Sequence, residues 1–206
     1  MPFQSLPSSH AHARDAFPDL ALQVDASAAY TAADVDHLKR LDAFGLLMIE
    51  QPFAEDDLVT HAKLQRAIET PVCLDESIGS AADCETALAL GAAGIVNIKP
   101  GRVGGHTASI RIHDLCASAG VGVWCGGMLE TGIGRAHNLA LASLPNFRYP
   151  ADLSASDRYW DRDVVNPPFK LGPDGTIAVP GRPGLGVDID EHYLDEIRLD
   201  HMILER

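Results

Sequence analysis

Asp25, Glu50, Asp75 and Lys99 follow one another at separations of 25, 25 and 24 residues, each at the C-terminal end of a short apolar run. Taken alone, each acid reads first as a helix cap or as a partner for a nearby arginine. Three in register are different, because carboxylates brought to one place repel one another unless a cation holds them. Hard oxygen donors select Mg²⁺, or alternatively Mn²⁺ or another divalent cation. The next member of the series, Lys99, then places an amine beside that ion.

For such residues to meet, the chain must return to one place about every 25 residues, as successive βα units do. The runs "LALQVDAS", "LLMIEQP", "PVCLDES", "GIVNIKP" and "VGVWCGG" read as strands. Between and after them the spacing predicts helices over about 32–43, 57–69, 81–90, 105–118 and 133–143. Thr31-Ala-Ala-Asp34 and Ser80-Ala-Ala-Asp83 are capping boxes, and Gly91 suits a left-handed helix end. Strand side chains alternate, so Gln23 shares a face with Asp25, Met48 with Glu50, Cys73 with Asp75 and Asn97 with Lys99. Alternating units of this kind predict an α/β fold with a parallel sheet. In a (β/α)₈ barrel the C-terminal rim of the strands is where active sites sit.

Composition narrows the partners. A chain of 206 residues with a formal charge of −13 has no basic cluster to meet nucleic acid or anionic lipid. Cys73, Cys84, Cys116 and Cys125 form no C-x-x-C pair and read as reduced core residues. The sequence holds no run of about 18 apolar residues and no signal-peptide pattern, so a cytoplasmic location is expected. His10 and His12 make an H-x-H pair within a Pro- and Ser-containing segment that reads as a solvated tail.

The segments "QVDASAAYT", "IEQPF", "CLDES", "NIKPGRVGG" and "WCGGMLETGIGRAHN" resemble, in order and interval, the barrel motifs of the enolase superfamily. Within it they are most similar to the muconate-lactonizing subgroup and its o-succinylbenzoate synthase and N-acylamino acid racemase branches. The resemblance runs over about residues 13–195. It implies a partial (β/α)₈ TIM barrel of about six βα units, with Asp25, Glu50 and Asp75 binding Mg²⁺ and Lys99 as the catalytic residue beside the α-carbon of a small carboxylate substrate. It makes Gly127 and Met128 candidate substrate contacts. The activity it implies is a lyase dehydration through an enediolate, in menaquinone biosynthesis, with racemisation of N-acylamino acids as the related activity.

In that family a second lysine comes from a K-x-K motif on the second barrel strand. The lysines here are Lys39, Lys63, Lys99 and Lys170, and none forms K-x-K. "ARDAFPDL" resembles the end of the second barrel helix, so the capping domain, the first two strands and that lysine have no counterpart in this sequence. A second reading follows: a catalytically incompetent piece of the fold, at most metal-binding. The expected organisation is an unstructured segment over 1–12, a truncated barrel over 13–155 and an extension over 156–206 packing on it. Open edges at "LALQVDA" and near "FRYPADLSA" would invite self-association.

Other features carry less. "GRVGG" does not have the glycine spacing of a nucleotide loop. His113 and His137 on helices read as packed or solvent-exposed and not catalytic, and Trp124 and Trp160 as core or packing residues. Pro100 reads as the end of its strand, and Pro173-Asp174-Gly175 as a turn between two short strands.

Overall fold

The computed structural model describes residues 12–200 and residue 202; His10, half of the H-x-H pair, lies outside the described residues. The chain forms two compact units. One holds the chain up to Trp124 together with Asn146–Tyr149, and the other holds Cys125–Pro145 together with the chain from Pro150 onward.

The sheet is built from β1 (Val24–Asp25), β2 (Ile49–Glu50), β3 (Val72–Leu74), β4 (Ile95–Ile98) and β5 (Gly122–Cys125), in that spatial order. The pairings of β1 with β2, β2 with β3 and β3 with β4 are parallel, with Asp25 opposite Glu50 and Glu50 opposite Cys73. β1 is an edge strand, as expected. The sixth predicted run is reduced to one parallel bridge, Val123 with Phe147.

Both faces of the strands are apolar, as burial on both sides requires. On one face Met48, Cys73, Ile95 and Trp124 form a buried cluster, and the Trp124 indole N–H donates to Cys73 Sγ at 3.2 Å. Glu50, Asp75 and Asn97 follow these residues by two positions on the same face, so the cluster is the floor beneath them. The other face carries Ile49, Val72, Leu74, Val96 and Ile98, all fully buried. Burying each such side chain contributes about 1.5–3 kcal/mol relative to leaving it exposed.

The helices largely follow the predicted spans. Leu58–Gln65, Ala81–Leu90, His106–Ser118 and Gly132–Ala142 match them within a few residues. Ser80 Oγ accepts the Asp83 N–H at 3.2 Å, and Gly91 adopts φ +66° at the other end of that helix. The span predicted as one helix over 32–43 is instead a short α-helix, Val35–Leu38, between two 3₁₀ segments, Ala32–Asp34 and Lys39–Phe44. Its Asp34 carboxylate still accepts the Thr31 N–H at 2.9 Å.

All four cysteines are free and buried. Cys84 and Cys116 meet at 3.6 Å where the helices Ala81–Leu90 and His106–Ser118 touch. His113 packs as expected: its Nε2 accepts the Asn146 N–H at 3.1 Å and its ring stacks on Phe147.

In the other unit, Ala136, Leu139, Val164, Val165 and Phe169 form the core. The turn at 173–175 is present, with the Gly172 N–H bonded to Thr176 O at 2.7 Å. The two short strands do not flank it. β6 (Val165–Asn166) and β7 (Asp188–Ile189) pair antiparallel across a much longer excursion. Several apolar side chains of this segment are exposed, among them Leu171, Val179, Leu194 and Ile197. Among the described residues, no helix is long and apolar enough to cross a membrane.

Candidate active site

Lys99 is the last extended residue after β4, at φ −116° and ψ 108°, the backbone region that a following proline favours. Pro100 ends the strand and also opens a short helix, Pro100–Val103, where its missing N–H costs nothing. That helical turn brings Arg102 back beside Lys99. Lys99 Nζ donates to Asp75 Oδ2 at 2.6 Å, and Arg102 Nη1 donates to Asp75 Oδ1. Arg102 is held in turn by the carbonyls of Ile78, at 2.8 Å, and Asn97, at 2.6 Å. One buried carboxylate thus serves two cations, in the charge-assisted geometry that makes such bonds strong.

Glu50 is 3% exposed and accepts a single neutral hydrogen bond, from Asn97 Nδ2 at 2.8 Å. Burial pushes its carboxyl up to about 7; the Asn97 bond opposes this, and the charges of Asp25 and Asp75 add to it. Asn97 Oδ1, beside it, is buried without a hydrogen-bond partner. Asp25 lies at the exposed end of the edge strand, where its Oδ1 accepts from the Ser27 N–H at 2.8 Å and hydroxyl at 3.2 Å. The three acids therefore reach one rim, on consecutive strands, as their spacing requires. As placed, each carboxylate serves its own neighbours, and among the described residues no three His, Cys, Asp or Glu side chains form a ready metal cluster.

The donor set nonetheless suits a hard cation. Glu50 has no cation within hydrogen-bonding distance, the negative charges of Asp25 and Asp75 act on it more strongly than the positive charge of Lys99, and the adjacent Asn97 oxygen lacks a donor. These are oxygen ligands with negative charge left to offset, the chemistry that Mg²⁺ satisfies.

Gly127 and Met128 belong to the other unit. A Cβ at Gly127 would stand 1.7 Å from the Asp152 carbonyl oxygen, so this glycine answers a backbone approach. Gly127→Ala is expected to cost about 1–3 kcal/mol through overpacking, read as a lower urea midpoint. Met128 is 60% exposed, and its N–H is bound by the Glu130 carboxylate at 2.8 and 2.9 Å. Trp160, half-exposed, donates its indole N–H to Glu130 O at 3.0 Å, and His137 lies exposed on its helix.

Comparison with known proteins bears on this geometry. The family model described as enolase C-terminal domain-like matches residues 7–193. The chain belongs to the enolase C-terminal domain-like family. It is 55% identical over 192 residues to an o-succinylbenzoate synthase of Geobacillus kaustophilus, covering 91% of this chain and 51% of that protein. It is 57% identical over 179 residues to an N-succinylamino acid racemase of an Amycolatopsis species, covering 87% and 48% respectively. This enolase-type domain also superposes on the structure of a probable mandelate racemase from Alicyclobacillus acidocaldarius with a TM-score of 0.92 at 41% identity, covering 97% of this chain and 52% of that one. The chain thus spans about half the length of the curated relatives it matches.

Proposed function

We propose that this chain carries the metal-and-lysine half of an o-succinylbenzoate synthase-type active site, with the related racemase chemistry on N-succinylamino acids. The observation that carries the reading is the juxtaposition of the Lys99 amine with Asp75, at 2.6 Å, beside a buried Glu50 that has no cationic hydrogen-bond partner. The names of its relatives, a synthase and a racemase, support it. In this reading Asp25, Glu50 and Asp75 would hold a divalent cation, with Mg²⁺ the natural choice. When bound, that ion supplies Lewis-acid stabilisation of the negative charge that builds on a substrate carboxylate as its α-proton leaves.

The chain's own residues do the rest. Lys99, on one face of the substrate, exchanges the α-proton. Arg102 fixes the carboxylate that orients Lys99, and Pro100 sets the backbone at which the amine emerges. No K-x-K lysine is present to take or return a proton on the opposite face. Exchange by this chain should therefore proceed with retention on one enantiomer of an N-succinylamino acid, without racemisation. In the dehydration of menaquinone biosynthesis Lys99 would instead stabilise the enediolate, with the α-proton removed by the K-x-K lysine that has no counterpart among these residues.

The test is deuterium incorporation at the α-carbon in D₂O with Mg²⁺, for each enantiomer, alongside a dehydration assay. Exchange of one enantiomer, slowed about a hundredfold or more by Lys99→Ala, is the expected result. No exchange by the unaltered chain would leave the incompetent reading in its place, and an equal rate in Lys99→Ala would show that Lys99 is not the base.

A further inference from the structure

The residue after Glu50 has an unusual backbone. Gln51 is fully buried and sits at φ +35°, a region that non-glycine residues occupy only when the surroundings enforce it. The hydrogen bonds show what enforces it. The ladder between β2 and β3 runs Ile49 N–H to Pro71 O at 3.0 Å, then Gln51 N–H to Cys73 O at 2.9 Å. The following rung of a parallel ladder would take the Asp75 N–H to the Gln51 carbonyl.

That carbonyl is turned the other way, accepting the Ala28 N–H of the β1 loop at 2.7 Å. The Gln51 side chain fills its place: Oε1 accepts from Asp75 N–H at 2.9 Å and from Ser77 N–H at 3.2 Å. The Nε2 group donates to Ser77 Oγ at 2.8 Å and Phe53 O at 3.0 Å. All four of the amide's hydrogen-bonding positions are thereby used, so it cannot rotate without stranding buried partners. His61 backs it, with its Nε2 accepting the Phe53 N–H at 3.3 Å and Nδ1 bonded to Asp57 O at 2.8 Å.

We infer that Gln51 is the positioning residue of the rim: its side-chain amide, standing in for a missing backbone rung, fixes where the Asp75 carboxylate is presented. The strained backbone lets one residue tie the β1, β2 and β3 rim loops together, and these carry Asp25, Glu50 and Asp75. This deepens the proposed function and rests on it wherever metal binding is the readout.

The test uses the full chain and two measurements. In Gln51→Leu, of similar size but without the amide, amide hydrogen exchange at Asp75 and Ser77 should accelerate at least tenfold relative to the strand amides of Val72–Leu74. Gln51→Glu, which keeps the acceptor, should retain most of the protection. Ile112→Ala, a remote core variant, should leave the ratio unchanged. Mn²⁺ affinity, read by electron paramagnetic resonance, should fall about tenfold or more in Gln51→Leu, the usual cost of losing an outer-shell partner.

An unchanged exchange ratio, or unchanged Mn²⁺ affinity in a wild-type chain that binds the ion, overturns the inference. If the wild-type chain binds no Mn²⁺, the metal reading falls, and the exchange ratio alone decides the positioning role. Should Gln51→Leu not fold, Ser77→Ala removes one of the two acceptors that align the amide. A threefold rise at Asp75 then supports the inference, and no rise overturns it.

Discussion

Asp75→Asn is expected to destabilise the protein by about 3 kcal/mol, the lower end of the usual cost of removing one member of a buried ion pair. The substitution keeps the shape of the side chain and one carbonyl acceptor, so it introduces no cavity. What it removes is the charge shared by Lys99 and Arg102, whose side chains are only 21% and 20% exposed, while that of Asp75 is 6% exposed. Both cations keep their positions through the backbone: Arg102 by the Ile78 and Asn97 carbonyls, Lys99 by its place at the end of β4. They are left facing each other with Glu50 as the remaining nearby anion. The measurement is urea unfolding of wild type, Asp75→Asn, Arg102→Met and the double variant. Removing the second cation should recover part of the loss, so the double variant should be more stable than the sum of the single effects requires. Strict additivity would show that the ion triad contributes nothing as a unit.

The strands, their parallel order and the common rim of Asp25, Glu50, Asp75 and Lys99 were legible because all follow from one periodicity. A 25-residue return and a two-residue side-chain alternation together place those four residues on one edge. The partners of these residues were less legible, each for a definite reason. Arg102 reaches Asp75 only because Pro100 begins a helical turn, whereas in the sequence Pro100 read only as the end of its strand. Asn97 was visible as a face-mate of Lys99, but its bond to Glu50 crosses 47 residues of chain. Gln51 is a polar residue just past a strand end, and sequence carries no signal that its side chain would substitute for its own backbone carbonyl. The helix expected over 32–43 breaks into 3₁₀ segments although its start signal was correct, since a cap fixes where a helix begins and says little about the pitch that tertiary packing then allows. The candidate contacts Gly127 and Met128 came from resemblance alone. In the structure their backbone is shaped by Asp152 and Glu130, neither of which periodicity could have pointed to.

In the metal-free protein, stability should fall as pH rises from about 4.5 to about 7, and Glu50 is the group responsible. Its folded carboxyl is raised to about 7 by burial, against 4.5 as the ordinary value. Across that window the folded state keeps a proton that the unfolded chain has already released, so raising the pH favours unfolding. The stabilisation is therefore complete below about 4.5 and is lost as pH passes through about 7. At about 1.4 kcal/mol for each tenfold difference in proton affinity between the folded and unfolded chain, the loss is about 3 kcal/mol.

His61 acts in the opposite sense. Burial lowers its pKa, so its contribution is lost as pH falls below the usual histidine range, and a single pH profile would mix the two. Glu50→Gln separates them: it keeps the Asn97 neighbour and the volume, and has no proton to lose. Chemical unfolding of both proteins from pH 4 to 8 in the presence of a chelator should give curves that converge at the acid end and diverge by about 3 kcal/mol at the alkaline end, with the variant the more stable. Parallel curves would show that Glu50 ionises at its ordinary value and needs no counter-charge. Saturating Mg²⁺ should stabilise the wild type increasingly as pH rises through the same window and leave Glu50→Gln little changed, because a cation at this rim is drawn to the ionised carboxylate that burial alone disfavours.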